Sequence, residues 1–586
     1  MRLRIQAFNH GRAVTREPDP VIILGFYQSH DACAALYDDY RCLASVALER
    51  VTRIKTDGYR FPSEAVAECL ASAGLTPGDI GAVCYPRMRY PADDIQNGFH
   101  RFGGLFGAHK VDPIAHLRSG RAKDLAEVVD VSAFAARHGW PAGAETFFYN
   151  HHKAHALATL AHMPADEVLL YTADGGGDDV FYSARLLKDG QLTDLFGGEA
   201  DTLARTVPQR PGDSLGKLYA YVTEALGFRS LRHEGKVLGL AAFGKPVHAE
   251  RMTALYQVSD DGQIHCAMPR WRVRMLVNSL AKKCSREDMA ASVQQTLENV
   301  ILAALAKLLR RAPVRHLGLS GGVFANVKLT QRIAERFDLD EIFVYPAMSD
   351  QGEADGGVLE FLLKRDGLAS WLGHREKLGN VYRGRDYTGD VDRVFAAGGA
   401  VKRPAADPID EAATIIAAGG IVGTYLGRME YGPRALGARS IIAAATDRSI
   451  NDWLNKRLDR TDFMPFAPVV RAEKAKDLFL LPDELAYTAN FMTVTCDVKP
   501  EWREKIPACV HVDGTARPQL IHREQNPVYY DVLAAYEQKT GIPALINTSF
   551  NVHEEPIINK PEEALRALKE GRVDHLLSEN AVWSLG

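Results

Sequence analysis

The sequence predicts a multidomain α/β protein, and three observations carry that expectation. Two strand–turn–strand–turn–strand meanders recur, over 21–50 and 168–197. Two strand–turn–helix crossovers follow at 316–333 and 341–357, with glycines or an aspartate in the turn. The chain has 586 residues, which at ~150 per domain corresponds to roughly four folding units.

Each element has a local reason. In "VIILGFYQSHDACAALYDDYRCLASVALER" (21–50) the apolar, β-rich runs are broken by "SHD" and "DDY", which turn the chain back. The second meander, "VLLYTADGGGDDVFYSARLLKDGQLTDLFG", turns at "ADGGGDD" and again at "KDGQ". The two form a weak internal duplication, each opening on an apolar strand that ends on His or Asp. Helical patterns cover 63–74 and 287–310, and "HLGLSGGVFANVKLTQRI" runs from a strand through Gly321 and Gly322 into a helix. "EIFVYPAMSDQGEADGG" gives a further strand, a turn carrying Asp350 and a glycine-rich helix start. Two such meanders with a later Gly-Gly turn suit the actin/Hsp70-like arrangement of paired ribonuclease-H-like subdomains. There, phosphates lie between the hairpins and the adenosine on the Gly-Gly turn. The expected organisation is an arm at 1–20, that domain over 21–365, a joining region at 366–399, and a second α/β domain over 400–586.

Composition removes several function classes. Seventy basic and seventy-four acidic residues leave a net charge of −4 without a basic stripe, so neither nucleic acid nor a membrane surface is an expected partner. The first twenty residues have no apolar segment of a secretory leader. Runs such as 412–426 are short and glycine-broken, fitting buried elements and not a span of ~20 residues. Eight scattered cysteines without CxxC read as reduced thiols of a cytoplasmic protein.

Several motifs bear chemistry. "YNHHKAHALA" sets His151 and His155 at i and i+4, on one helical face. That is ligand spacing and also ordinary helix geometry. Asp174 and Asp350, each following a strand, are carboxylates able to converge on the same cleft, and two His with two carboxylates suit iron, manganese or zinc. Asp174 and the His30–Asp31 turn then face each other. Gly321 and Gly322 let backbone N–H groups approach a phosphate, or simply build a tight turn. No Walker A pattern is present, so a nucleotide is held another way. "GRMEYGPRALGARS" places Arg428, Arg434 and Arg439 among helix breakers, where rigid forked donors match phosphate or carboxylate. The plainer alternative is a structural network with acids such as Glu430. "NTSFNVHEEP" adds hydroxyls and amides suited to carbamoyl or phosphate oxygens, though Asn and Ser also build turns.

The ordered set "HDACAAL", "ER-x-T-R-x-K", "HHxAHA", "DGGGDD", "EGKVLGLAAFG", "SGGVFAN", "GPRALGARS", "PFAPVV", "HVDGTARPQ" and "NTSFN" resembles the O-carbamoyltransferase family. That family includes NodU-type nodulation proteins and antibiotic carbamoyltransferases such as that of tobramycin. The resemblance covers about residues 21–570. It implies a YrdC-like C-terminal domain that makes carbamoyl adenylate from carbamoyl phosphate and ATP, with Mg. It also implies an N-terminal metal site that transfers carbamoyl to a hydroxyl of a small-molecule biosynthetic acceptor. Carried over residue by residue, it implies His151, His155, Asp174 and Asp350 as ligands of iron or another divalent metal. His30 becomes the group assisting attack by the acceptor hydroxyl. Lys55, Gly321, Gly322 and Asn326 become nucleotide contacts, and Arg428, Arg434, Arg460, Ser549 and Asn551 hold carbamoyl phosphate. Relatives also suggest a homodimer.

The chain departs from the family at "RLDRTDFMPFAP" (457–468): Leu458 and Met464 stand where relatives carry cations, leaving Arg460, with Lys456 or Arg457 able to reach in from a shifted register. Two other classes of reading stay open: a nucleotide-dependent carbamoyl-phosphate hydrolase acting on water or a tRNA-bound group, and a non-enzymatic actin-like scaffold switched by ATP.

Overall fold

The computed structural model describes residues 21–99, 110–204, 209–459 and 465–586. The expected arm at 1–20 and Arg460 and Met464 lie outside them.

The duplication foreseen in the sequence is a duplication of topology. The first sheet contains β1 (Ile22–Tyr27), β2 (Cys33–Asp38), β3 (Arg41–Ala47), β4 (Ala82–Pro86) and β5 (Glu145–Tyr149), in the order β3-β2-β1-β4-β5. The second contains β6 (Val168–Gly177), β7 (Val180–Lys188), β8 (Gln191–Phe196), β9 (His316–Ser320) and β10 (Glu341–Val344), in the order β8-β7-β6-β9-β10. In both, the first three strands form an antiparallel meander and the last two run parallel to the first. This is the paired ribonuclease-H-like arrangement. The central strands β1 and β6 have helices or sheet neighbours on every side. Their side chains are therefore buried almost without alternation, which explains why they read as continuous apolar runs.

A helix follows the last strand of each repeat, and the two helices meet. α1 (His151–Leu160) starts at Asn150, whose side chain accepts the Lys153 N–H at 2.9 Å and so caps the first turn. α4 (Glu353–Leu372) starts after a tight turn at Asp350–Gly352. Between them in sequence lie α2 (Arg286–Arg311) and α3 (Val327–Arg336). α1 and α4 cross at backbone contact: a Cβ on Gly356 would sit 2.2 Å from the Ala154 carbonyl oxygen. Glycine there permits the approach that sets His151 and His155 against the start of α4.

The C-terminal unit is an eight-stranded mixed sheet. Its strands are β11 (Ala400–Lys402), β12 (Val422–Thr424), β13 (Ser440–Ala444), β14 (Ala467–Arg471), β15 (Gln519–Ile521), β16 (Ala544–Ser549), β17 (His575–Ser578) and β18 (Ala581–Leu585), in the order β11-β18-β17-β12-β13-β16-β14-β15. One core cluster joins residues of α5 (Pro408–Ala417) and α6 (Pro527–Thr540) to this sheet, with Ile416, Tyr529 and Leu533 among its members.

The expected joining region at 366–399 carries regular structure. α4 continues to Leu372, Tyr382–Asp386 pairs antiparallel with Arg428–Glu430, and a helix over Thr388–Ala397 packs on another over Pro561–Lys569. Residues 382–399 thus belong to the C-terminal unit; their glycines and mixed polarity reflect an edge ribbon and a surface helix. The eight cysteines are free thiols. Among the described residues no helix is long and apolar enough to cross a membrane.

Candidate active site

α1, β6 and the turn before α4 bring His151, His155, Asp174 and Asp350 together. One ligand atom from each lies within 4.8 Å of all the others, and all four residues are buried. His151 Nε2 is 3.5 Å from Asp174 Oδ2 and 3.8 Å from Asp350 Oδ1, and His155 Nε2 is 3.8 Å from Asp350 Oδ1. His151 Nε2, His155 Nε2 and Asp350 Oδ1 are buried without a hydrogen-bond partner. Buried polar atoms are normally satisfied, so orphaned lone pairs aimed at a common point mark a place for a cation. Two imidazoles and two carboxylates suit a divalent transition metal.

The surroundings hold this set in place. Asp174 accepts the Gly176 N–H at 3.0 Å and the Gly322 N–H at 2.9 Å. Tyr27 donates to Asp350 Oδ2 at 2.8 Å. His152, whose role the sequence left unassigned, spans Thr172 Oγ1 at 2.7 Å and the Val180 carbonyl at 2.8 Å and is a packing residue. His30 enters from the β1–β2 turn with its Nε2 3.4 Å from Asp350 Oδ2; its side chain, 29% exposed, is the solvent-facing member of the cluster. Burial lowers its pKa, but Asp350, then Asp31 and Asp174, raise it further, to about 9.

The Gly-Gly turn is organised otherwise than its sequence suggests. Gly321 donates its N–H to the Met348 carbonyl and Gly322 to Asp174, so neither N–H points at a free anion site. Gly321 has φ +97, and a Cβ there would meet the Ala173 carbonyl oxygen at 2.3 Å. The glycines serve the close passage of β9 beside β6. Asn326 caps α3 through the Leu329 N–H and exchanges hydrogen bonds with Gln294. Lys55 binds Glu49 at 3.1 Å and keeps a third of its side chain exposed.

Of the three arginines at 428, 434 and 439, Arg434 is the one left for an anion. Its Nε is buried without a partner, and no carboxylate pairs with it among the described residues. Burial alone lowers its pKa to about 10. Arg428, by contrast, donates through Nε and Nη2 to the carbonyls of Gly384, Arg383 and Leu43 and to Ser72 Oγ, which fastens the C-terminal ribbon to the first domain. Arg439 is fully buried, bonded to the Leu426 and Gly427 carbonyls and stacked on Tyr425. Glu430 pairs with no arginine of the loop; it accepts the N–H groups of Leu436, Ala438 and Arg439 and so shapes it. Ser549 ends β16 opposite Ser440, and Asn551 bonds the Val552 and Glu555 carbonyls. Leu458 is a core residue, which explains an apolar side chain there, and Arg457 pairs with Asp574 at 2.7 Å.

The arginine loop touches the turn that carries Asp350. Tyr431 donates to the Gln351 carbonyl, Gly432 approaches the Pro346 carbonyl, and the fully buried Arg50 donates to the Gly432 carbonyl at 2.7 Å. A cavity of ≈ 210 Å³ also opens between the domains, lined by Lys328, Arg332, Phe466, His511, Asp513 and Arg517. Sequence reasoning passed over Arg517, Arg50, Tyr27 and Glu353. Arg50 and Arg517 stood inside quoted motifs, whereas nothing local marks the other two.

Comparison with known proteins gives the family. Residues 141–359 match the family model described as carbamoyltransferase N-terminus, and residues 413–584 that described as carbamoyltransferase C-terminus. Nodulation protein NolNO of Sinorhizobium fredii is 31% identical over 566 residues, 94% of this chain and 78% of that one. Nodulation protein NolO of Bradyrhizobium diazoefficiens is 32% identical over 443 residues, 73% and 77% of the two chains. Among solved structures, full-length HypF in its phosphate- and nucleotide-bound form aligns at a TM-score of 0.31 and 13% identity, over 59% of this chain and 56% of that one. A likeness at that score adds nothing to the fold described above.

Proposed function

Because the chain belongs to the carbamoyltransferase family and is an enzyme of carbamoyl transfer, we propose that it works in two half-reactions at two adjoining sites. In the first, carbamoyl phosphate and ATP give carbamoyl adenylate and pyrophosphate in the C-terminal unit, whose YrdC-like character belongs to this reading. In the second, the carbamoyl group passes to a hydroxyl of a small-molecule biosynthetic acceptor at the His30 cluster. The observation that carries the proposal is the contact between the Arg434 loop and residues 346–351, which gives the unpaired guanidinium and the buried His/Asp set a common wall.

Arg434 supplies the charge for a phosphate; Ser549, Asn551 and Arg460 are proposed from their motifs alone. The interdomain cavity, with Lys328, Arg332 and Arg517, offers a nucleotide its cationic lining. Lys55 and the turn at 321–326 are proposed on its N-terminal side.

His151, His155, Asp174 and Asp350 would hold a divalent cation, with iron the choice suggested by the resemblance. When bound, such a cation neutralises carboxylate and phosphate charge. His30, the solvent-facing member of the cluster, would in its neutral form accept the hydroxyl proton on Nε2. The acceptor oxygen then bonds to the carbamoyl carbon, the carbon–oxygen bond to phosphate breaks, and AMP leaves as the hydroxyl proton passes to His30. Tyr27 and Glu353 keep the buried set rigid while this happens.

The test is incubation of the full chain with ATP and carbamoyl phosphate. Pyrophosphate release dependent on both substrates is expected. Release of ADP with inorganic phosphate and no pyrophosphate would favour the hydrolase or scaffold reading.

A further inference from the structure

Glu353, the first residue of α4, is 0% exposed, and neither carboxylate oxygen has a hydrogen-bond partner meeting ordinary criteria. Both oxygens nevertheless face imidazoles. Oε2 is 3.3 Å from His151 Nδ1 and Oε1 is 3.3 Å from His155 Nδ1. The opposite nitrogens, both Nε2, face Asp174 and Asp350. The two rings stand perpendicular with centroids 4.7 Å apart, and Glu353 lies where it faces the Nδ1 of both. Burying a carboxylate is costly unless it is used. Here each of its oxygens faces one ring nitrogen.

Resting on the reading of these histidines as metal ligands, we infer that Glu353 is a positioning residue that sets the tautomer of both imidazoles at once. One carboxylate accepts Nδ1–H from each ring, which leaves an Nε2 lone pair on each ring for a cation. Most metal-bound histidines have a partner of this kind on the second nitrogen; here one side chain serves two ligands. Its place at the α1–α4 crossing follows from Gly356, which lets the helices approach. A glutamine cannot replace it. The amide oxygen accepts from one ring, but the amide nitrogen donates to the other. That second ring must then carry its proton on Nε2, where it cannot bind a metal.

The experiment uses the full chain, stripped of metal, as wild type, Glu353→Gln and Glu353→Leu. Cobalt(II) is titrated calorimetrically and by visible absorption, with thermal melting of each metal-free protein as the control for folding. Wild type is expected to bind with a ligand-field spectrum showing nitrogen ligation. Glu353→Gln should bind about 10–100-fold more weakly and with an altered spectrum, although its metal-free form melts no lower. Glu353→Leu, which lets either tautomer form, should fall between the two in affinity. Equal affinity and an unchanged spectrum in Glu353→Gln beside a wild type that binds would overturn this inference alone. A wild type that takes up no cobalt would overturn the metal reading and this inference with it.

Discussion

Replacing Arg434 by methionine should stabilise the protein without ligand while removing its first half-reaction. The side chain keeps some exposure, yet burial with no counter-charge lowers its pKa from 12.5 to about 10. At ~1.4 kcal/mol per pKa unit, that corresponds to a folding penalty of about 3 kcal/mol as an upper bound. The sign follows from linkage. The folded-state pKa lies below the unfolded one, so the penalty is fully present below pH 10 and fades only as pH rises from there toward 12.5. Near neutrality, Arg434→Met therefore gains up to about 3 kcal/mol, and each kcal/mol raises the melting temperature of a unit this size by ~2–4 °C. Saturation with phosphate at 100 times its Kd adds ~2.7 kcal/mol to wild type and nothing to the variant. Calorimetric melting with and without carbamoyl phosphate, beside a pyrophosphate assay, reads both effects. A variant that melts below ligand-free wild type, responds equally to phosphate and still releases pyrophosphate would refute the reasoning.

Gly356→Ala puts a Cβ 2.2 Å from the Ala154 carbonyl, so the helices must part by about 1 Å; a loss of ~1–3 kcal/mol with weakened metal uptake is expected, and unchanged melting and uptake would show that the crossing does not set the site. Asn150→Ala removes the cap of the helix carrying both histidines and should cost about 1 kcal/mol, read by denaturant midpoint at constant slope. Burial raises Glu554, but His233 and Arg232 hold it down to about 2. Its contribution is present above the ordinary glutamate pKa of ~4.5 and is lost as pH falls toward 2, so Glu554→Gln should lose less stability than wild type over that window. Parallel acid-melting curves would count against this latch between the domains.

The meanders were legible because short apolar strands bounded by Asp, Gly and Ser turns are local signals, and β1 to β3 and β6 to β8 fall where those signals place them. The metal set was legible in part, since His151 and His155 share a helix face, but its convergence with Asp174 and Asp350 depends on pairing across the chain. Glu353 escaped notice because an acid in the first turn of a helix is ordinary; only the helix crossing turns it toward two imidazoles. The contacts of Arg428 were not legible either: they are the carbonyls of residues 43, 383 and 384 and Ser72 Oγ, which no sequence pattern records. Leu458 looked like a missing cation because nothing in the sequence shows that its side chain is buried. The 366–399 stretch read as a joining region because edge ribbons and surface helices share the glycines and mixed polarity of connecting segments.

The account rests on two half-reactions carried by separate, touching sites, and one variant tests that most directly. His151→Ala removes a ligand of the buried cluster 3.5 Å from Asp174 while leaving the Arg434 loop intact. With ATP, isotopically labelled carbamoyl phosphate and a panel of candidate alcohols, wild type should release pyrophosphate and add one carbamoyl group to an acceptor, read by mass. His151→Ala should still release pyrophosphate but form no carbamate. If it transfers carbamoyl at the wild-type rate, or loses both half-reactions together while still folded, the division of labour proposed here is wrong.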